Sequence, residues 1–127
     1  VAMDASWPAL TFAAAKRPMA QLYQGRLSTW TAYNYDIILS SFVLAYVSPY
    51  WIRDILRRMM FGVKKAIIIA EPMIDLENMQ EQLRPTKPGW AHPYMQLMGD
   101  LESGVLSQRQ VGPVGDLNGI VVWEKMQ

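Results

Sequence analysis

The sequence predicts a mostly α-helical membrane protein with one transmembrane helix over about residues 30–49, and three observations carry that expectation. Ile37 to Ile52 is a run of sixteen residues without a formal charge. As a helix it would reach roughly 24 Å at about 1.5 Å per residue, a little less than the roughly 30 Å hydrocarbon core of a bilayer. Aromatic residues with polar tips flank the run, Trp30, Tyr33 and Tyr35 before it and Tyr50 and Trp51 at its end, where a membrane interface would place them. Arg53, Arg57 and Arg58 follow, so the positive-inside tendency puts the C-terminal arm on the stromal or matrix side.

Four segments follow from this reading. Residues 1–28 are expected to form short amphipathic surface helices: Ser6 caps the first, Pro8 sits in its first turn, and Pro18 opens a second that Gly25 closes. Residues 29–52 hold the spanning helix, with Asp36 at headgroup depth. Ser41 and Ala45 are small residues one turn apart that let another helix approach. Pro49 breaks or kinks the run and suits the first residue of a new helix. Residues 53–71 read as a basic amphipathic helix, because Ile52, Leu56, Met59, Met60, Val63 and Ile67 recur at helical spacing opposite Arg53, Arg57 and Lys64. Ile67-Ile68-Ile69 favours a strand as much as a helix, and a strand there would end the helix near Val63.

Residues 72–127 are richer in Pro and Gly and read as a long, irregular, partner-binding arm. Within it, 74–83 favours a short helix, 95–101 a further helical turn, 112–116 a turn and 119–123 a short strand. Trp90, Tyr94 and Trp123 are spaced along the arm as anchors for grooves on neighbouring subunits.

Composition narrows the chemistry. A net charge of +1 gives no field to recruit nucleic acid, and the absence of cysteine excludes disulfide scaffolds, thiol catalysis and cysteine-ligated metals. No G-x-G-x-x-G, Walker or H-E-x-x-H motif occurs. A serine nucleophile has only His92 as base, and no Gly-x-Ser-x-Gly accompanies it. No enzyme is therefore expected. His92, between Trp90 and Tyr94, is a candidate pigment or metal ligand, with a hydrogen-bonded interface histidine as the default. The opening Val1-Ala2-Met3 agrees with a removed targeting sequence.

The expected function is a non-catalytic structural or accessory subunit of an organellar membrane complex. A photosystem in the thylakoid membrane is preferred, ahead of a respiratory complex or ATP synthase in the mitochondrial inner membrane. Partners would be other membrane-protein subunits and lipid. No cofactor is required, and chlorophyll, carotenoid or lipid are the groups its interface could hold. Two other readings compete. In one, a soluble α+β interaction domain encloses residues 37–52; in the other, a small membrane enzyme or quinone-site subunit uses Tyr35, Asp36 and His92.

Overall fold

Ile67, Ile68 and Ile69 set the architecture. β-branched side chains pack well on a pleated surface, and the backbone here is extended from Val63 to Pro72. The computed structural model describes residues 2–30, 34–73, 85–86, 89–101, 104–110 and 118–126; of residues 85–86, 104–110 and 118 only the backbone is described. The chain divides into two units, Val1–Thr31 and Ala32–Gln127.

In the N-terminal unit, β1 (Ala2–Asp4) lies parallel to β2 (Leu22–Gln24), and α1 (Trp7–Lys16) makes the crossover that a parallel pair requires. Ser6 caps α1, its Oγ accepting from the Ala9 N–H at 3.3 Å, and Pro stands in the first turn. The second surface helix expected before Gly25 is strand β2 instead. At three residues, it takes its hydrogen bonds from β1 rather than from its own turn.

In the C-terminal unit, β3 (Tyr35–Ser41) pairs parallel with β4 (Val63–Pro72), and α2 (Pro49–Gly62) connects them. The chain then returns antiparallel. β7 (Gly104–Gln110) and β8 (Asn118–Lys125) form a hairpin whose second strand adds to β4, giving the order β3-β4-β8-β7. A small antiparallel pair, β5 (Pro85–Thr86) with β6 (Gly89–Trp90), and helix α3 (Tyr94–Leu101) lie between β4 and the hairpin in sequence. Ile52, Ile55, Leu56, Met59 and Met60 of α2 are buried at i, i+3, i+4, i+7 and i+8. Ile67 and Ile69 of β4 are buried, as are their register partners Trp123 and Val121 on β8. Tyr94 and Met98 of α3 complete this core.

The transmembrane expectation is overturned. Among the described residues no helix is long and apolar enough to cross a membrane. The described residues of the expected span include a strand, a 3-10 turn at Leu44–Tyr46 and the first turn of α2. The run holds three separate pieces: β3 is an edge strand with Ile37 and Leu39 exposed, Leu44 and Ala45 are buried, and Ile52 faces the core. Pro49 does start a new helix, entering at its first turn, where a missing N–H is harmless. Asp36 is on β3, exposed, with its carboxylate 3.9 Å from the Lys65 ammonium across the strand pair. An organellar-membrane placement, thylakoid included, loses the feature it stood on.

The basic helix expected over 53–71 ends at Gly62, and the triple isoleucine belongs to β4. The expected irregular arm instead supplies α3 and two strands of the main sheet. The helix expected at 74–83 and the turn at 112–116 lie outside the described residues.

Candidate functional site

Ligands of open α/β sheets enter outside the carboxyl ends of the parallel strands. In the C-terminal unit this margin is where Ser40 and Ser41 of β3 lie beside Ile69 and Ala70 of β4. Strand alternation puts residue 71 on the same face as Ile67 and Ile69, so the next inward side chain after two isoleucines is Glu71. It is completely buried. A carboxylate taken out of water must recover its hydrogen bonds from the protein. Glu71 Oε1 accepts from the Ser40 hydroxyl at 2.8 Å, the Val43 N–H at 2.7 Å and the Leu44 N–H at 2.9 Å. Its Oε2 accepts from the Ala45 N–H at 3.4 Å. One side chain thus gathers the amide groups of the turn that leaves β3.

Phe42 lies between β3 and that turn with φ 53°, and Asn34 before β3 has φ 64°. Asparagine tolerates the left-handed region; a bulky aromatic does not, and the conformation costs about 1–2 kcal/mol. The Phe42 N–H donates to the Ala70 carbonyl at 3.1 Å while its side chain remains 53% exposed. Strain of this kind persists only where surrounding bonds outweigh it. Glu71 supplies those bonds.

The turn is gripped from a second direction. A Cβ at Gly89, where φ is +134°, would stand 2.3 Å from the Ala45 carbonyl oxygen, so only glycine allows this approach. His92 is buried and its Nε2 lies 2.8 Å from the Val47 carbonyl; a carbonyl only accepts, so this nitrogen carries the proton. The Tyr94 ring stands edge-on to His92 with centroids 5.6 Å apart. Its hydroxyl is buried without a hydrogen-bond partner among the described residues. Burial, and then the charge of Glu71, push the Tyr94 phenol far above its ordinary range.

Burial holds the His92 imidazole below its ordinary value of 6.5, against hydrogen bonds to the Val47 and Leu44 carbonyls that pull it back up. The folded chain therefore resists the proton that the unfolded chain accepts. Stability from this source is complete above pH 6.5 and is lost as pH falls below it toward the depressed folded value. Urea titrations across that range should show the decline, and His92→Asn should remove this component of it.

The other residues singled out from sequence are scattered. Tyr50 and Trp51 begin α2, exposed, with rings edge-to-face at 5.0 Å. Trp30 is half-buried in the N-terminal unit, Tyr35 starts β3, and Tyr33 lies outside the described residues. No membrane interface gathers them. Arg53 and Arg58 reach Asp100 at 3.9 Å and Asp54 at 3.0 Å on the solvated side of α2. Ser41 and Ala45 do not pack a helix; one is exposed on β3 and the other is buried beneath Gly89. Trp90 is half-buried on β6, and Tyr94 and Trp123 are core residues, unavailable to a neighbour's groove.

A cavity of about 260 Å³ lined by Arg57, Met60, Phe61, Leu101 and Lys125 lies at the opposite, amino end of β4. There Lys125 Nζ donates to the carbonyls of Met60, Phe61 and Val63, satisfying the end of α2.

Sequence reading missed Phe42 and Glu71 as site residues. The one signal for Glu71 was a carboxylate directly after five apolar residues and before a proline.

No protein-family model matches the sequence, and no curated protein matches it. Solved structures do. A protein assigned as an S-adenosylmethionine dependent methyltransferase from Listeria monocytogenes superposes with a TM-score of 0.72 at 14% identity, over 98% of this chain and 78% of its own. Magnesium protoporphyrin IX methyltransferase from Synechocystis PCC 6803, solved with bound S-adenosylhomocysteine, gives 0.70 at 12% identity, over 98% and 63%. An O-methyltransferase family 2 protein from Planctomyces limnophilus, solved with apigenin, gives 0.67 at 16%, over 92% and 40%. The chain thus spans more than two thirds of the first and less than two thirds of the other two.

The likeness is one of fold, and the fold is α/β. It overturns the expectation of a non-catalytic photosystem or respiratory subunit, because the chain shares its fold with methyltransferases and no helix among the described residues makes the span that reading needed. The expectations of no enzyme and of no required cofactor fall with it.

Proposed function

We propose that this chain forms part of the cofactor-binding α/β sheet of an S-adenosylmethionine-dependent methyltransferase. The observation that carries this reading is the superposition on such enzymes over nearly the whole chain, at TM-scores of 0.67 to 0.72. Unrelated activities share folds, so the local chemistry must also suit the group.

It suits the nucleoside end. In the N-terminal unit, taken by itself, Asp4 ends a parallel strand just ahead of a capped helix, and its Oδ1 already accepts the Ser6 N–H at 2.8 Å. A carboxylate at such a strand end is placed to accept from ribose hydroxyls. For the amino-acid end of the cofactor no residue is assigned, and the sequence holds no G-x-G-x-x-G turn. When bound, S-adenosylmethionine supplies an electrophilic methyl group. The role left to this chain is to bind and orient. In the N-terminal unit that role falls to the carboxylate of Asp4, which holds a diol.

Isothermal titration of the whole chain with S-adenosylhomocysteine tests the reading. Saturable binding is expected, weakened about tenfold in Asp4→Ala, the loss of a charge-assisted hydrogen bond. Heat signals without saturation, or an affinity that Asp4→Ala leaves unchanged, would remove it.

A further inference from the structure

We propose that Phe42 is a stacking platform for a planar ring of the bound ligand, and that Glu71 is the positioning residue that holds it in place. The inference rests on the proposed function only for the end of the sheet at which the ligand enters.

Three observations converge. Phe42 has a left-handed backbone, φ 53°, that its own side chain disfavours. Its ring is turned outward, 53% exposed, at the carboxyl margin of the parallel pair, when burial would be the ordinary fate of a phenylalanine. The hydrogen bonds that fix this arrangement come from a buried carboxylate on the neighbouring strand, which takes Ser40, Val43 and Leu44 at 2.7 to 2.9 Å. A fold with no use for an outward ring at position 42 would be relieved by glycine or asparagine there. Neighbouring side chains fit the same purpose, since Val43 and Tyr46 are also exposed and residues 37 to 52 carry no charge. The chemistry recognised is therefore a flat, uncharged ring. An adenine base and an aromatic methyl acceptor both provide one.

Phe42→Gly separates a platform from a packing residue. Glycine accepts the left-handed backbone, so the unfolding midpoint should hold or rise. Affinity for the ring should fall about tenfold, as stacking losses do. The probes are adenosine and 2-naphthol, titrated separately into the full chain. Loss confined to adenosine assigns the platform to a purine base, and loss confined to 2-naphthol assigns it to an aromatic acceptor; either supports the proposal. Glu71→Gln should weaken the same probe, and the double variant should bind no more weakly than Phe42→Gly alone, because both changes remove one interaction.

Unchanged affinity for both probes in Phe42→Gly overturns the platform, as does a parent chain that binds neither. A lowered midpoint in Phe42→Gly would make Phe42 a packing residue and overturn it too. Binding of S-adenosylhomocysteine by the parent is the independent measure of the functional reading. It can succeed while the platform fails, and the platform can stand on 2-naphthol when that binding is absent.

Discussion

Trp123→Ala is expected to destabilise the chain by about 3–5 kcal/mol, the range for removing a large buried aromatic. Trp123 is fully buried on β8, where its register partners are Ile67 on β4 and Leu106 on β7. It stands at the middle of the sheet, on the strand that joins the return hairpin to the parallel pair. Truncation would leave a void in the core, which rigid neighbours fill only in part. A urea transition followed by circular dichroism would measure the loss. Trp123→Phe should retain more than half of the stability difference, because the indole N–H has no hydrogen-bond partner among the described residues and only volume is lost. A Trp123→Ala chain within 1 kcal/mol of the parent, an order-of-magnitude bound for surface substitutions, would contradict this placement.

Glu71→Ala comes next in size. It would strand the Ser40 hydroxyl and the N–H groups of Val43, Leu44 and Ala45, now held by one carboxylate. Each buried donor left alone costs about 1–3 kcal/mol, and some would be rescued by water or by movement of the turn. A net loss on the order of 3 kcal/mol is expected, with Glu71→Gln about half as severe since one oxygen still accepts. Hydrogen exchange adds a local signature, with the amides of residues 43–45 losing protection in Glu71→Ala before the β4–β8 pairing does. Equal protection in both chains would mean that something other than the carboxylate holds the turn.

The local chemistry of this fold was legible in the sequence, and its long-range pairings were not. Ser6 with Pro8, and Pro49 after Ser48, marked helix starts because capping and the missing proline N–H act within one turn. The stripe Ile52, Leu56, Met59 and Met60 marked the buried face of α2, since helical spacing alone groups those side chains. The triple isoleucine left strand and helix open, and the partner that decides between them, β8, lies some fifty residues on. The uncharged run at 37–52 misled for a related reason. Hydropathy cannot tell a strand, a turn and a helix start from one lipid-facing helix when each piece is apolar on its own account. Ser40 and Glu71 meet across thirty-one residues, and nothing local to either announces the other.

The close approach at Gly89 ties together parts of the chain that are far apart in sequence. Because any side chain there would collide with the backbone at Ala45, the two segments behave as a bolt and its plate. His92, three positions on, latches the same plate at Val47. Substitution at Gly89 or His92 is therefore felt at residues 45–47, more than forty positions earlier in the chain.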